Sequence, residues 1–231
     1  MRISERSFAG NLSRRKKNRR IILLLIPVCL VFGFVAFRFF RQRNGVVVYP
    51  SDIIPIATLS DGSMEYFFMQ RDESWKRDSL GGSRFTMGSS GCLTSSLTSV
   101  FLLQGIEPIS DMDSALDPGM VNRIFTDRNV YDSEGNIQWE PLSLVVNKQI
   151  VRLGADRVNG KELTGLLEEG IFPVVRVQMP FSEVTHYVTL IGSDGNTFLC
   201  MDPLFDKGPR PLSYYGNRIY AVRYIDGGEE F

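Results

Sequence analysis

The sequence contains very little histidine and cysteine. Among its 231 residues there is one histidine, His186, and there are three cysteines, Cys29, Cys92 and Cys200. One histidine together with scattered carboxylates does not supply the closely spaced ligands of a zinc site. We therefore expect no metal and no other cofactor, and His186 is the only imidazole available for acid–base chemistry.

The larger part of the chain also lacks an excess of positive charge. The totals are equal, with 26 Lys and Arg against 26 Asp and Glu. However, eleven of the bases and a single acid lie within residues 1–43, so the remainder has fifteen bases against twenty-five acids. Nucleic-acid binding depends on clustered positive charge in the folded part. The charge distribution therefore excludes a nucleic-acid partner.

One apolar segment follows the basic end of the chain. Residues 21–37, IILLLIPVCLVFGFVAF, contain no charge and approach the length that spans the hydrocarbon core of a bilayer. Lysine and arginine are more numerous before this run than after it, so the positive-inside rule keeps the N-terminus in the cytoplasm. The segment predicts a membrane anchor. The alternative is a cleaved signal peptide, but no A-x-A-like cleavage site follows the run.

These features predict four regions along the chain. We expect a basic cytoplasmic tail over residues 1–20, a single membrane-spanning helix over 21–40 and a juxtamembrane linker over 41–60. One folded domain would then occupy residues 61–231, outside the cell. There is no internal repeat or low-complexity tract to divide that domain further.

The first half of the predicted domain has helical patterns. In CLTSSLTSVFLLQ the apolar residues recur at i, i+4, i+7 and i+8, and Gly105 follows, which predicts a helix over Cys92–Gln104. The segment EPLSLVVNKQI, with Pro141 in its first turn, predicts a second helix. The segment NGKELTGLLEEG, in which Asn159 and Glu162 form a capping-box pattern, predicts a third.

The second half has strand patterns. Four short segments are rich in β-branched and aromatic residues: PVVRVQM, HYVTLIG, TFLCMD and RIYAVRYI. Turn-forming sequences such as SDGN separate them. Helices followed by antiparallel strands indicate an α+β fold, in which the N-terminal helices pack on a C-terminal antiparallel sheet.

Cys92 lies where a reactive thiol is expected. It follows the segment GSSG, whose glycines allow the backbone to turn sharply. It also begins the predicted helix, where unpaired N–H groups and the helix dipole favour a thiolate. We therefore treat Cys92 as a candidate nucleophile, and the alternative interpretation is a small buried core residue.

Three other residues could form a site with Cys92. His186 begins an apolar strand after a polar loop, so it can reach a cleft while the sheet fixes its backbone. Asp202, on the next predicted strand, could accept the ring N–H of His186 and fix its tautomer. The amide of Gln70 could stabilise an oxyanion together with the backbone N–H of Cys92. Their plainer interpretations are a structural histidine, a turn residue before proline and a surface glutamine.

The segments that contain these residues resemble a known family. MQRDESW, GSSGCLTSSLTSVFLLQG, HYVTLIG and MDP, in that order, are similar to the bacterial double-glycine (bacteriocin-leader) peptidases, which are papain-like cysteine peptidases. The similarity covers roughly residues 67–225, and the residue order is more specific than any one residue. It implies a papain-like fold with Cys92 as nucleophile and His186 as general base. It also implies that Asp202 orients the histidine and that Gln70 contributes to the oxyanion hole.

The leading hypothesis is a stand-alone, membrane-anchored cysteine peptidase that works on the outside of a bacterial cell. It would hydrolyse peptide amide bonds, in cell-wall peptide or an exported polypeptide, through a thioester acyl-enzyme. Its expected partners are therefore a peptide substrate and the membrane. Two alternatives remain open. One is an inactive papain-like module that binds peptides at the cell surface, and the other is a structural disulfide between Cys92 and Cys200.

Overall fold

The structure, a computed structural model, describes residues 45–108, 116–154 and 156–227. The predicted basic tail over 1–20 and the predicted anchor over 21–40 lie outside these residues. Among the described residues, no helix is both long enough and apolar enough to cross a membrane. The folded unit begins at Gly45.

Five α-helices occur in the described part of the chain. They are α1 (Met87–Ser90), α2 (Cys92–Gln104), α3 (Pro118–Asp127), α4 (Trp139–Val146) and α5 (Gly160–Glu168). The bounds of α2 match the prediction, because Gly105 ends the helix with a left-handed φ of 63° that glycine adopts without strain. Helix α3 was not predicted, although Asp117 caps it by accepting a hydrogen bond from the N–H of Met120 at 2.8 Å.

The helix predicted over 140–150 is shorter than expected. It ends at Val146 because Asn147 adopts a left-handed conformation with φ of 48°, which asparagine tolerates better than most residues. The chain then forms strand β3 (Ile150–Leu153). The apolar run predicted as one helix is therefore divided between a helix and a strand.

The sheet accounts for most of the second half of the chain. Besides β3, the described strands are β1 (Val46–Val47), β2 (Ile53–Ile54), β4 (Val174–Gln178), β5 (Thr185–Asp194), β6 (Phe198–Met201), β7 (Arg210–Pro211), β8 (Arg218–Ile219) and β9 (Ala221–Ile225). Seven of them form one sheet in the order β3-β9-β4-β5-β6-β7, with β2 also paired to β5. All of the pairings are antiparallel. The predicted combination of helices with a large antiparallel sheet is confirmed.

Helices cover both faces of this sheet. Val174 on β4 packs with residues of α2, α3 and α4. Its neighbour Val175 packs with Leu163 and Leu167 of α5, because successive side chains of a strand point to opposite faces. The expectation that the N-terminal helices pack on the sheet is therefore correct for one face, while α5 covers the other.

Helix α2 is buried along most of its length rather than along one apolar stripe. Its small polar side chains are buried, and the hydroxyls of Ser96, Thr98 and Ser99 are hydrogen bonded to backbone carbonyls. The Ser99 hydroxyl donates to the carbonyl of Tyr66 at 2.6 Å, and the Thr189 hydroxyl on β5 donates to the carbonyl of Ser96 at 3.1 Å. Small residues allow close packing against β5, and these bonds satisfy most of the buried hydroxyls, although that of Ser95 has no partner among the described residues. The helix that begins with Cys92 is thus buried over Thr94 to Phe101 and held against β5.

The predicted linker over 41–60 is wrong for the residues that the structure describes. Strand β1 pairs with β8, and β2 pairs with β5. Gly160 lies so close to this segment that a Cβ atom there would be 1.6 Å from the carbonyl oxygen of Tyr49. The domain therefore starts at about residue 45 rather than 61, because the apolar runs VVV and II, interrupted by two prolines, form edge strands.

Candidate active site

The predicted site residues surround one cleft at the start of α2. Gln70, Cys92 and His186 all line this cavity, which has a volume of about 490 Å³. Asp202 lies behind the histidine and is 1% exposed. The four residues come from a loop, a helix, a strand and the end of a second strand, and the fold brings them together.

The backbone before Cys92 is helical rather than a flexible turn. Thr86 caps α1 and forms a reciprocal capping box with Ser89. Gly91 then joins α1 to α2, and a Cβ atom at this position would lie 2.5 Å from the carbonyl oxygen of Met87. A glycine is therefore required for close packing, not for flexibility. This packing places the half-buried Cys92 thiol at the edge of the cleft.

His186 lies near the start of β5, opposite Val177 of β4, and is 2% exposed. Its Nε2–H donates to Oδ1 of Asp202 at 2.7 Å. Nδ1 is then the ring nitrogen left to interact with the thiol. Burial lowers the pKa of His186, but the hydrogen bonds and charges of Asp202 and Cys92 outweigh burial and raise the pKa to about 9. The site therefore favours an imidazolium.

Asp202 is buried but well supplied with donors. Besides His186, the backbone N–H of Leu204 donates to Oδ1 at 2.9 Å, and the hydroxyl of Tyr215 donates to Oδ2 at 2.6 Å. Nε of Arg210 lies 3.2 Å from Oδ2. Burial alone would raise the pKa of Asp202, but the hydrogen bond and charge of His186, helped by Tyr215 and Leu204, lower it. The carboxylate is therefore ionised, so Nε2 of His186 keeps its proton in the neutral ring as well as in the imidazolium.

Arg210 and Tyr215 are site residues that sequence reasoning missed. The guanidinium of Arg210 lies between the rings of Phe205 and Tyr214, 4.0 and 4.1 Å from their centroids. Its place beside Asp202 depends on the register of β6 and β7, in which Cys200 is opposite Arg210. No local pattern in the sequence reveals that register.

Gln70 is held from two directions. Its backbone N–H donates to the carbonyl of Pro203 at 3.0 Å, directly after Asp202 in the chain. Its side-chain Nε2 donates to the carbonyl of Gly88 at 3.1 Å, which fixes the orientation of the amide. An amide nitrogen has two N–H donors, so the second remains for a group bound in the cleft.

Cys92 and Cys200 are both free thiols. Cys200 is completely buried, and burial raises the pKa of its thiol well above the ordinary value. The disulfide considered as an alternative is therefore not formed. Among the residues that the structure describes, no group of three His, Cys, Asp or Glu side chains is arranged to hold a metal ion.

Comparisons with known proteins give little beyond this geometry. The chain matches no protein-family model and no curated protein. Among solved structures it is similar to a candidate C39-like peptidase from Bacillus anthracis, with a TM-score of 0.44 and 14% sequence identity. The match covers 78% of this chain and 100% of that chain. At these values the likeness supports no conclusion about substrate or activity.

Proposed function

We propose that this protein is a papain-like cysteine peptidase that hydrolyses peptide amide bonds, with Cys92 as nucleophile and His186 as general base. One observation carries the proposal. The buried imidazole of His186 is bonded through Nε2 to Asp202 at 2.7 Å and lines the same cleft as the half-buried thiol. A nucleophile, a base and a third group that orients the base are the parts that covalent catalysis requires.

In the proposed reaction the thiol of Cys92 gives its proton to Nδ1 of His186, and the sulfur bonds to the carbonyl carbon of the peptide. The carbonyl electrons move to oxygen and form a tetrahedral oxyanion. As the C–N bond breaks, the imidazolium returns the proton to the leaving amine, and a thioester remains. Water, deprotonated by His186, then attacks the thioester and releases the acid and the free thiol.

The surrounding residues have separate roles in this scheme. The carboxylate of Asp202 keeps the ring proton on Nε2 and stabilises the imidazolium. Arg210 and Tyr215 fix the carboxylate through Oδ2. The free N–H of the Gln70 amide and the backbone N–H of Cys92 would donate to the oxyanion, which is the step at which preorganised donors act most strongly.

Cleavage products provide the direct test. The full chain would be incubated with an unfolded polypeptide and with cell-wall peptides, and new N-termini would be identified by mass spectrometry. We expect products from the wild type and none from Cys92→Ala. Cys200→Ala is the matched control, since it removes the other described thiol from outside the cleft. Cleavage by Cys92→Ala at the wild-type rate would refute the assignment, and peptide binding without cleavage by the wild type would favour the inactive module.

We further propose that residues 21–40 anchor the chain in a bacterial membrane and that the peptidase works outside the cell. The uncharged run and the excess of basic residues before it support this orientation. Protease added to intact protoplasts should digest the domain. Survival of the domain until the membrane is opened would reverse the topology.

A further inference from the structure

A second cavity adjoins the cleft. Its volume is about 250 Å³, and it is lined by Trp139, Arg152, Val174, Arg176, Tyr187, Ala221 and Arg223. Two of these residues, Trp139 and Tyr187, also line the cleft that contains Cys92. The two cavities therefore have these two side chains in common, and the second cavity lies next to the cleft.

Three arginines of this cavity come from neighbouring strands of the sheet. Arg152 on β3 is directly opposite Arg223 on β9. Arg176 on β4 is opposite Ala221 and Tyr187. Directly opposed residues of antiparallel strands share a face, and like charges in that position repel. We call Arg152, Arg176 and Arg223 the arginine cluster.

The arginine cluster has no counter-charge within the described part of the protein. The ion pairs of the described residues do not include any of the three, and no carboxylate lines the cavity. Nε of Arg176 is buried without a hydrogen-bond partner among the described residues. The guanidinium of Arg223 instead lies over the ring of Trp139, 4.2 Å from its centroid. A buried donor without an acceptor reduces stability, and a ligand in the cavity would supply the acceptor that Nε of Arg176 lacks. Arg152 is exposed and Arg223 is half-buried, so both are accessible to such a ligand.

We propose that the arginine cluster is a substrate subsite that binds a carboxylate of the peptide held across Cys92, either an acidic side chain or a C-terminal carboxylate. The planar donors of arginine match the two oxygens of a carboxylate. Trp139 and Tyr187 provide aromatic ring surfaces against which the rest of the residue would pack. This subsite rests on the peptidase function proposed above.

Direct binding tests the subsite without requiring catalysis. The full chain would be titrated at constant ionic strength with N-acetylglutamate amide, N-acetylglutamine amide, N-acetylglutamine and inorganic phosphate, with tryptophan fluorescence as the signal. The first probe has only a side-chain carboxylate, the second is neutral, and the third has only a terminal carboxylate. We expect saturable binding of one or both carboxylates, whichever source the subsite accepts, and none of the neutral amide.

Variants connect the signal to the cavity. Arg176→Gln should weaken carboxylate binding at least about tenfold, as loss of a charged hydrogen bond predicts. Trp139→Phe should remove the fluorescence change. Arg128→Gln, at an exposed position at the end of α3, is the matched control and should bind as the wild type does. Equal binding of the acid and the amide, or phosphate binding ten times tighter than either carboxylate, would overturn the assignment.

Cleavage specificity tests whether the carboxylate belongs to the substrate. In a peptide library, an acidic group should be enriched at one fixed distance from the bonds that the wild type cleaves. Arg176→Gln should lower the ratio of kcat/KM for an acidic peptide to that for its neutral match at least about tenfold. Carboxylate binding without this preference would overturn the substrate role. If the wild type cleaves no peptide, the peptidase proposal fails, while the titration still decides whether the cavity binds a carboxylate.

Discussion

Arginine occurs in two contrasting environments on this sheet. Behind His186, Arg210 lies between two aromatic rings and beside the carboxylate of Asp202, which also binds His186 and Tyr215. In the arginine cluster, Arg152 and Arg223 are directly opposed, and none of its three residues forms an ion pair with a described carboxylate. The first network is complete within the protein. The second is complete only when an anion is supplied from outside.

The difference between these two arginine environments corresponds to the two tasks that we propose for the site. A base needs a fixed orientation before substrate arrives, so its supporting groups are buried and mutually bonded. A subsite needs open donors, so its residues stay partly exposed and lose some stability through repulsion. Arginine therefore fixes the carboxylate beside the proposed base in one place, and in the proposed subsite its donors are open to a ligand.

The largest effect is expected at His186, which is bonded to Asp202 and lines the same cleft as the Cys92 thiol. His186→Ala should reduce kcat at least about 1,000-fold, because the chain has no other histidine to replace the base. The double variant with Cys92→Ala should be no slower than either single variant, since a nucleophile and its base act as one unit. Hydrolysis of a fluorogenic peptide chosen from the mapped cleavage sites measures both. Losses that multiply in the double variant would contradict the pairing.

Gln70→Ala should have the next largest effect. Loss of one oxyanion donor lowers kcat about 100- to 1,000-fold with little change in KM. Gln149→Ala, at an exposed position beside β3, is the control. A change confined to KM would instead place Gln70 in ground-state binding and remove it from the proposed mechanism.

Asp202→Asn should have a smaller effect on rate and a distinct effect on pH dependence. Asp202 and Cys92 together raise the pKa of His186 to about 9 in spite of burial. Without the Asp202 charge this pKa falls, so the alkaline limb of kcat/KM should move to lower pH by about one unit or more. A pH–rate profile of both proteins measures the limb. An unchanged limb would show that the carboxylate does not control the base.

The same pKa affects stability. The folded-state pKa of His186 lies above the ordinary value of 6.5, so its protonation stabilises the fold fully below pH 6.5. That contribution is lost as pH rises through about 9. In urea unfolding of the wild type, the free energy of unfolding should decrease by about 1–3 kcal/mol over this pH window. His186→Gln should lack that part of the decrease, and equal slopes for the two proteins would contradict the assignment.

The smallest expected effects are changes in the free energy of unfolding when single arginines are replaced. These changes should have opposite signs at the two places. Arg210→Gln should destabilise the fold by about 1–3 kcal/mol, because it removes a charged partner from buried Asp202. Arg152→Gln should stabilise the fold by about 0.2–1 kcal/mol, because it removes a repulsion across strands. Urea denaturation of both variants and the wild type measures the sign of each change in the free energy of unfolding. Destabilisation by both would mean that the arginine cluster has an internal structural role.

Local sequence patterns predicted part of this arrangement well. The bounds of α2, the cap at Asn159 and the positions of Cys92 and His186 at the start of their elements all depend on residues close together in the chain. The long-range features were not predictable in this way. The contact of Arg210 with Asp202 depends on strand register, and the arginine cluster depends on the order β3-β9-β4.

The N-terminal boundary was missed for a related reason. Strands of two residues such as β1 and β2 have too little periodicity to be recognised, and prolines nearby favoured a linker. Their pairing partners lie far away in the sequence, at Ile219 and Asp194. Close packing of Gly160 against Tyr49 is likewise visible only in three dimensions.

The pairing of this N-terminal segment with strands near the C-terminus also determines how late in synthesis the fold can be completed. The carbonyl of Gly45 accepts a hydrogen bond from Arg218, 173 residues later, and that of Asp52 accepts one from Ser193, 141 residues later. A ribosome adds about 5–20 residues per second, so the first strands emerge many seconds before their partners. Cys92 likewise leaves the ribosome well before His186. A nascent chain released early would have the thiol but neither its base nor the carboxylate that orients it.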